Sequence, residues 1–433
     1  MADLRSNFLG IQSPNPFWLA SAPPTDKAYN VNRAFEAGWG GVVWKTLGEA
    51  GPPVVNVSGP RYGAVYGADR RVIGFNNIEL ITDRPLEVNL AEMRQVKRDW
   101  PERALVASLM VPCTESAWKA IIPMVEDTGC DALELNFGCP HGMSERSMGS
   151  AVGQVPEYIQ MVAAWCKHTS RLPVIVKLTP NITDIRHPAR AAKAGGADAV
   201  SLINTVSSIM GVDLERLTIS PAVAGMGTHG GYCGPAVKPI ALHMVAEIAR
   251  DPATRGLPIS GIGGIHTWRD AAEYIALGCG TVQVCTAAML YGFKIVQDMV
   301  DGLADFMDTH GHATLADFQG RAVPTVTDWQ HLNLNYTEKA QIDQALCIQC
   351  GRCHIACEDT SHQAIFASRD GKRHFEINDA ECVGCNLCTS VCPVPGCITM
   401  RELKPGETDQ RTGRPVGADY LPWTRHPNNP MRS

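Results

Sequence analysis

The residues best placed to do chemistry are cysteines in two runs near the end of the chain. The first is Cys347-Ile-Gln-Cys350-Gly-Arg-Cys353-His-Ile-Ala-Cys357 and the second Cys382-Val-Gly-Cys385-Asn-Leu-Cys388-Thr-Ser-Val-Cys392-Pro393. Both follow the spacing C-x2-C-x2-C-x3-C. Three thiolates at two-residue intervals wrap three irons of one cubane, while the fourth, displaced along the following helix, reaches the other cluster. The ligand sets therefore cross: Cys347, Cys350, Cys353 and Cys392 hold one 4Fe-4S cluster, and Cys382, Cys385, Cys388 and Cys357 hold the other. A structural zinc site would use two Cys-x-x-Cys pairs and leave the third cysteine of each run idle. Glu358 follows the first run where proline follows the second, and Cys397 lies beyond the pattern as a packed thiol.

The paired runs resemble those of the bacterial two-cluster ferredoxins. Such a module carries single electrons and makes no bonds, so the preceding residues should hold a centre that converts between one- and two-electron steps, for which flavin is the natural choice. Eight short apolar runs before residue 290 read as strands: Phe17–Ser21, Gly41–Thr46, Ala104–Met110, Ala132–Phe137, Val174–Leu178, Ala199–Asn204, Pro258–Ile262 and Thr281–Thr286. Most precede a helix-like segment, as at Ser116–Asp127, Pro156–Cys166, Asp184–Ala194, Lys238–Ala249 and Thr267–Leu277. Eight such units in this length predict a (β/α)8 TIM barrel, with an open doubly wound sheet as the alternative. The polar residues Ser21, Lys45, Thr46, Asn136, Lys177, Asn204, Thr205, Gly263, Gly264 and Thr286 then converge at strand C-terminal ends. Glycines after the seventh strand and a hydroxyl after the eighth are where barrels commonly bind phosphate. The long connections Leu47–Asp83 and Thr205–Val237 leave the same face and read as substrate-covering loops.

Composition narrows the partners. A chain of 433 residues exceeds one ordinary core. The domains read as 1–336 for the barrel, 337–400 for a two-cluster α+β domain, and 401–433 for a proline-rich extended arm. A net charge of −6 leaves no basic footprint for nucleic acid. No run of about 18 apolar residues offers a membrane span. Nine of the 16 cysteines fall between Cys347 and Cys397, which is a cofactor pattern and not a disulfide framework. With no secretion signal at the N-terminus, a reducing cytoplasm is expected.

Spaced motifs across the barrel carry a resemblance. Ala20-Ser21, Lys45-Thr46, Asn136-Phe-Gly-Cys139-Pro-His-Gly, Lys177-Leu-Thr-Pro-Asn, Asn204-Thr205, Gly263-Gly264 and Val284-Cys-Thr286 resemble the FMN barrel of the dihydropyrimidine dehydrogenases and their dihydroorotate dehydrogenase relatives. With the cluster module behind it, the chain resembles the FMN and iron–sulfur subunits of bacterial NAD-dependent dihydropyrimidine dehydrogenases. The resemblance implies FMN contacts from Ala20, Ser21, Lys45, Thr46, Lys177, Gly263, Gly264 and Thr286, and pyrimidine contacts from Asn77, Asn136, Asn204 and Thr205. It implies Cys139 as the acid that protonates carbon 5 while hydride passes between reduced FMN and carbon 6. Lys177 would stabilise the negative charge of the reduced ring. Gly138 and Phe137 stand where the family more usually has serine and leucine, which puts the preference among pyrimidines in question. His141 is either a proton relay or a loop residue.

Gly225-Met-Gly227-Thr-His-Gly230 matches G-x-G-x-x-G but lacks the preceding strand and following helix of a dinucleotide site, and reads as a mobile loop over the substrate. NAD(H) is therefore expected only through a partner, an FAD- and NAD(H)-binding flavoprotein subunit. The resemblance further implies a homodimer within a hetero-oligomer. Rival readings are a dihydroorotate dehydrogenase-like enzyme acting on another cyclic amide, an electron-transfer subunit without its own substrate, and a dihydrouridine synthase, against which the acidic balance argues.

Overall fold

The computed structural model describes residues 2–139, 147–368 and 373–431; His141 lies outside them. It divides between Val326 and Thr327 into two compact units, so that segments 327–336 and 401–433 both fall in the second. No helix among the described residues is long and apolar enough to cross a membrane.

In the first unit, strands β1 (Phe17–Leu19), β2 (Gly41–Leu47), β3 (Ala104–Leu109), β4 (Ala132–Asn136), β5 (Val174–Lys177), β6 (Ala199–Leu202), β7 (Ile259–Ile262) and β8 (Cys279–Val284) form a closed barrel. All its pairings are parallel and in chain order, and β8 returns to β1 through Val282↔Phe17, Gln283↔Trp18 and Val284↔Leu19. That closure excludes the open sheet. Strands covered on both faces need apolar residues at nearly every position, which is why these runs do not alternate. The connecting helices Glu115–Glu126, Pro156–Thr169, Arg186–Ala194, Lys238–Arg250 and Trp268–Ala276 start at local signals. Thr114 caps the first, Pro156 opens the second, and Thr267 with Asp270 forms a capping box on the last. The N-terminal hairpin Ser6–Phe8/Ile11–Ser13 sets Phe8 edge-on against Trp18 at 5.9 Å, within the cluster that fills the lower barrel.

The two long insertions are not simple loops. Tyr62–Tyr66 and Val72–Asn77 from the first pair with Gly230–Cys233 and Val206–Ser208 from the second in a four-stranded antiparallel sheet. Its central register is Gly231↔Asn77, Tyr232↔Asn76 and Cys233↔Phe75. Gly230 opens a strand, so the glycine motif runs into a sheet and not into the helix that a dinucleotide site requires. Gly74 lets the insertions approach, since a Cβ there would lie 1.6 Å from Tyr232 Oη and 2.1 Å from its Cζ. Gly74→Ala is expected to unseat Tyr232 and cost about 1–3 kcal/mol of stability. A lower denaturant midpoint at unchanged m-value would check it.

The second unit repeats one plan twice. Each cysteine run leads into a short helix, Arg352–Glu358 or Leu387–Val391, and then into a strand, Ile365–Ala367 or Ile398–Glu402. The strands pair antiparallel with Phe375–Ile377 and Glu338–Ile342 respectively. The tail is tied down: buried Lys339 makes an ion pair with Asp409 at 2.8 Å, and the Leu334 amide donates to the Leu421 carbonyl at 2.9 Å.

Candidate active site

The ends of the barrel strands open into one cavity enclosing about 1110 Å³ out to solvent. β1 delivers Ala20 and Ser21 to its wall, β2 delivers Lys45 and Thr46, and β4 delivers Asn136 and then Cys139. Lys177 ends β5, Asn204 and Thr205 follow β6, Gly263 and Gly264 follow β7, and Thr286 follows β8; all line the same space. Asn77 reaches it from the insertion sheet. The barrel residues expected to contact a flavin or a pyrimidine, and Cys139, thus line one cavity.

A chain of hydrogen bonds fixes the polar row. Thr46 Oγ1 lies 3.1 Å from Ser21 Oγ and 2.9 Å from Ser108 Oγ, and it accepts from Asn136 Nδ2 at 3.0 Å. Asn136 Oδ1 in turn accepts from Asn204 Nδ2 at 3.0 Å and from the Gly138 amide at 3.3 Å. Asn77 Nδ2 donates to the Gly231 carbonyl at 3.1 Å, across the insertion sheet. An amide offers two donors and two acceptor sites, so each asparagine keeps capacity for a ligand.

Two buried lysines face the cavity, each matched by a carboxylate that the sequence reading passed over. Lys45 Nζ donates to Glu79 Oε1 at 2.9 Å and lies 3.9 Å from Asp26, whose pKa burial pushes up. Glu79 also accepts from Asn56 at 3.2 Å, Arg61 at 3.1 Å and Tyr62 Oη at 3.1 Å. Lys177 Nζ lies 3.5 Å from Glu134 Oε1, whose other oxygen accepts from Ser201 Oγ at 2.8 Å and Gln283 Nε2 at 3.0 Å. The clue to Glu134 was a charge inside the apolar run Ala-Leu-Glu-Leu-Asn of β4; the clue to Glu79 was its place two residues beyond Asn77.

The wall also suits a phosphorylated, ring-bearing cofactor. Gly263 and Gly264 have φ of +126° and +70°, and a Cβ on Gly264 would lie 2.7 Å from Lys238 Cβ, so the backbone there stays bare for oxygen atoms. Gln283 Oε1 is buried with no hydrogen-bond partner among the described residues. Two further cavity thiols are held protonated at neutral pH: burial pushes Cys233 up to about 11 and Cys285 up to about 12.

Gly138 has a steric reason to lack a side chain. Its Cβ would lie 2.5 Å from Asn204 Cβ and 2.6 Å from Asn204 Nδ2. Gly138→Ser is expected to push Asn204 off Asn136 and lower kcat/KM by about 10–100-fold, since a displacement near 1 Å in a positioned group can cost about 10²-fold. Steady-state kinetics beside an unchanged denaturant midpoint would check it.

In the second unit, Cys347, Cys350, Cys353 and Cys392 line one cavity of about 310 Å³ out to solvent, and Cys357, Cys382, Cys385 and Cys388 line another of about 360 Å³ measured the same way. The crossed grouping fits two cubanes.

Comparison with known proteins agrees with both units. Residues 3–307 match the dihydroorotate dehydrogenase family and residues 340–400 the 4Fe-4S dicluster domain. The chain is 42% identical over 402 residues to the NAD-dependent dihydropyrimidine dehydrogenase subunit PreA of Escherichia coli K12, covering 93% of this chain and 96% of that one. It is 43% identical over 350 residues to the chloroplastic dihydropyrimidine dehydrogenase (NADP(+)) of Arabidopsis thaliana, covering 79% and 82%. To the catalytic subunit of dihydroorotate dehydrogenase B (NAD(+)) of Pyrococcus abyssi it is 33% identical over 329 residues, covering 74% and 99%. The ligand-free dihydroorotate dehydrogenase structure from Eimeria tenella superposes with a TM-score of 0.61 at 20% identity, covering 74% of this chain and 92% of that one, a likeness of fold.

Proposed function

This chain belongs to the dihydroorotate dehydrogenase family, and on that premise we propose that it is the catalytic subunit of an NAD-linked dihydropyrimidine dehydrogenase, interconverting uracil or thymine with the 5,6-dihydro forms. It is an oxidoreductase with a 4Fe-4S dicluster domain. The observation that carries the reading is the single cavity in which Asn77, Asn136 and Asn204 stand with Cys139 and two buried lysines. When bound, FMN supplies hydride transfer and the link between two- and one-electron steps, and two 4Fe-4S clusters supply the one-electron connection to a partner.

The chain's own residues do the rest. Ala20, Ser21, Lys45, Thr46, Lys177 and Thr286 would hold FMN, with Gly263 and Gly264 at its phosphate. The asparagines, with Thr205, pair with the alternating carbonyls and N–H groups of the pyrimidine. Cys139 gives a proton to carbon 5 in reduction and takes it back in oxidation. A neutral pyrimidine is favoured over an anionic orotate because Lys45 and Lys177 already face carboxylates, which leaves little positive charge for a second anion.

With no dinucleotide fingerprint in the chain, NADH is served by an FAD-containing flavoprotein subunit, in a cytoplasmic complex that pairs two copies of this chain. The test is anaerobic mixing of the oxidised chain with dihydrouracil, dihydrothymine and dihydroorotate separately. Bleaching of the flavin by either of the first two supports the proposal. Bleaching by dihydroorotate alone overturns the substrate assignment, and NADH oxidation by the isolated chain overturns the need for a partner.

A further inference from the structure

The strand Glu338–Ile342 lays a buried cation against the second cysteine run. Lys339 is only 2% exposed, and a lysine is rarely so deep unless its charge is paired. Its Nζ carries three N–H donors, and each has an acceptor: the Cys382 carbonyl at 2.5 Å, the Asp379 carbonyl at 2.9 Å and Asp409 Oδ1 at 2.8 Å. The strand also runs close to the loop that follows Cys382, since a Cβ on Gly384 would lie 2.4 Å from the Glu338 carbonyl oxygen. Two of the three acceptors thus belong to the segment that carries a cluster ligand, and the third comes from the C-terminal arm.

The matching position of the other half is filled differently. The carbonyls of Asp343 and Asn378 each accept the amide of the first cysteine of a run, Cys347 or Cys382, both at 3.0 Å, which aligns the two halves. Four residues before Asp343 stands Lys339; four before Asn378 stands His374, whose Nε2 pairs with Glu376 at 2.7 Å. The His374 side chain is 25% exposed, so water reaches it, whereas both members of the Lys339–Asp409 pair are buried and little screened. Asp409 is fixed by its own turn, accepting from the Arg411 amide at 3.1 Å and from Thr412 Oγ1 at 3.1 Å. It reaches the cysteine run through the ammonium.

We propose that Lys339 and Asp409 act as opposed charges on the cluster held by Cys357, Cys382, Cys385 and Cys388: the ammonium raises its reduction potential, and the carboxylate of the arm holds that rise in check. Reduction adds one negative charge to the cluster, which a nearby cation stabilises and a nearby anion opposes. Net charge and solvent exposure are among the determinants of cluster potential, and here a full charge sits against the peptide of a ligand, away from water. The inference rests on the proposed pair of clusters and is independent of which substrate the barrel takes.

The test is a redox titration of the full chain followed by electron paramagnetic resonance, with iron and sulfide analysis of each variant. About eight irons in the unsubstituted chain meet the premise of two clusters; about four overturn it, and the inference with it, whatever the variants do. Asp409→Asn, which keeps the size and an acceptor, is expected to raise one midpoint by about a tenfold change in its one-electron equilibrium constant, ~59 mV. Lys339→Met is expected to lower the same midpoint by a similar factor, and the other midpoint to stay in place in both variants. Opposite signs are the signature of charge, since a merely structural clasp would move both variants the same way. If Lys339→Met fails to retain its cluster, the Asp409→Asn midpoint decides alone. An unmoved or lowered midpoint in a fully loaded Asp409→Asn, or shifts of one sign in both variants, would overturn the proposal, as would loss of that cluster from Asp409→Asn, which would make the pair a structural clasp.

Discussion

Cys139→Ala is expected to slow uracil reduction by a factor of about 10²–10⁴, the usual worth of a positioned general acid, with uracil binding nearly unchanged. In the proposed reaction the substitution removes the proton source and leaves the recognition row its own hydrogen bonds, Asn136 to Thr46 and to the Gly138 amide, Asn204 to Asn136, and Asn77 to the Gly231 carbonyl. Neither remaining cavity cysteine can substitute. Burial raises both Cys233 and Cys285 well above the ordinary thiol range, and Cys233 is engaged with Thr286 Oγ1 at 3.3 Å. The measurement is a stopped-flow comparison of the reductive and oxidative half-reactions with an equilibrium titration of uracil. A lost rate with retained binding identifies an interaction made in the transition state. An unchanged rate would favour the reading of the chain as an electron carrier that only docks its partners.

The parts of this protein written in local pattern were readable from sequence, and the parts made by distant pairing were not. Barrel strands such as Val174–Lys177 declare themselves because a strand covered on both faces must be apolar throughout. The cysteine spacing reports a cubane because the backbone fixes how far three thiolates can reach. The insertion sheet is different. Its strands Val72–Asn77 and Gly230–Cys233 lie over 150 residues apart, and the second begins with two glycines, which weaken any strand signal. Glu79 and Glu134 stayed hidden for a related reason: a carboxylate becomes a lysine's counter-ion only once the fold has set its charge against Lys45 or Lys177. The tail shows the same limit, since nothing near Asp409 in the sequence points to Lys339, 70 positions earlier. The roles assigned to the asparagines and to Cys139 came from family resemblance. Spacing alone places an asparagine at a strand end without saying what it binds.

Cys385→Ala is expected to separate the two halves of the proposed reaction. Cys385 is exposed, lines the cavity shared with Cys357, Cys382 and Cys388, and contributes little apolar packing, so its loss removes one iron ligand without opening the core. One cubane should be lost, and iron should fall from about eight to about four atoms per chain. The barrel is a separate compact unit with its own core, so dihydrouracil should still bleach the flavin at nearly the wild-type rate. NADH-linked turnover with the proposed flavoprotein partner should fall to background, because the glycine motif ending at Gly230 runs into a strand and not into the helix a dinucleotide site requires. The two measurements on one preparation decide the point together. A lost half-reaction would mean that the clusters support the barrel's structure, whereas NADH-linked turnover surviving at four irons would mean that the partner's electrons reach the flavin without this cluster.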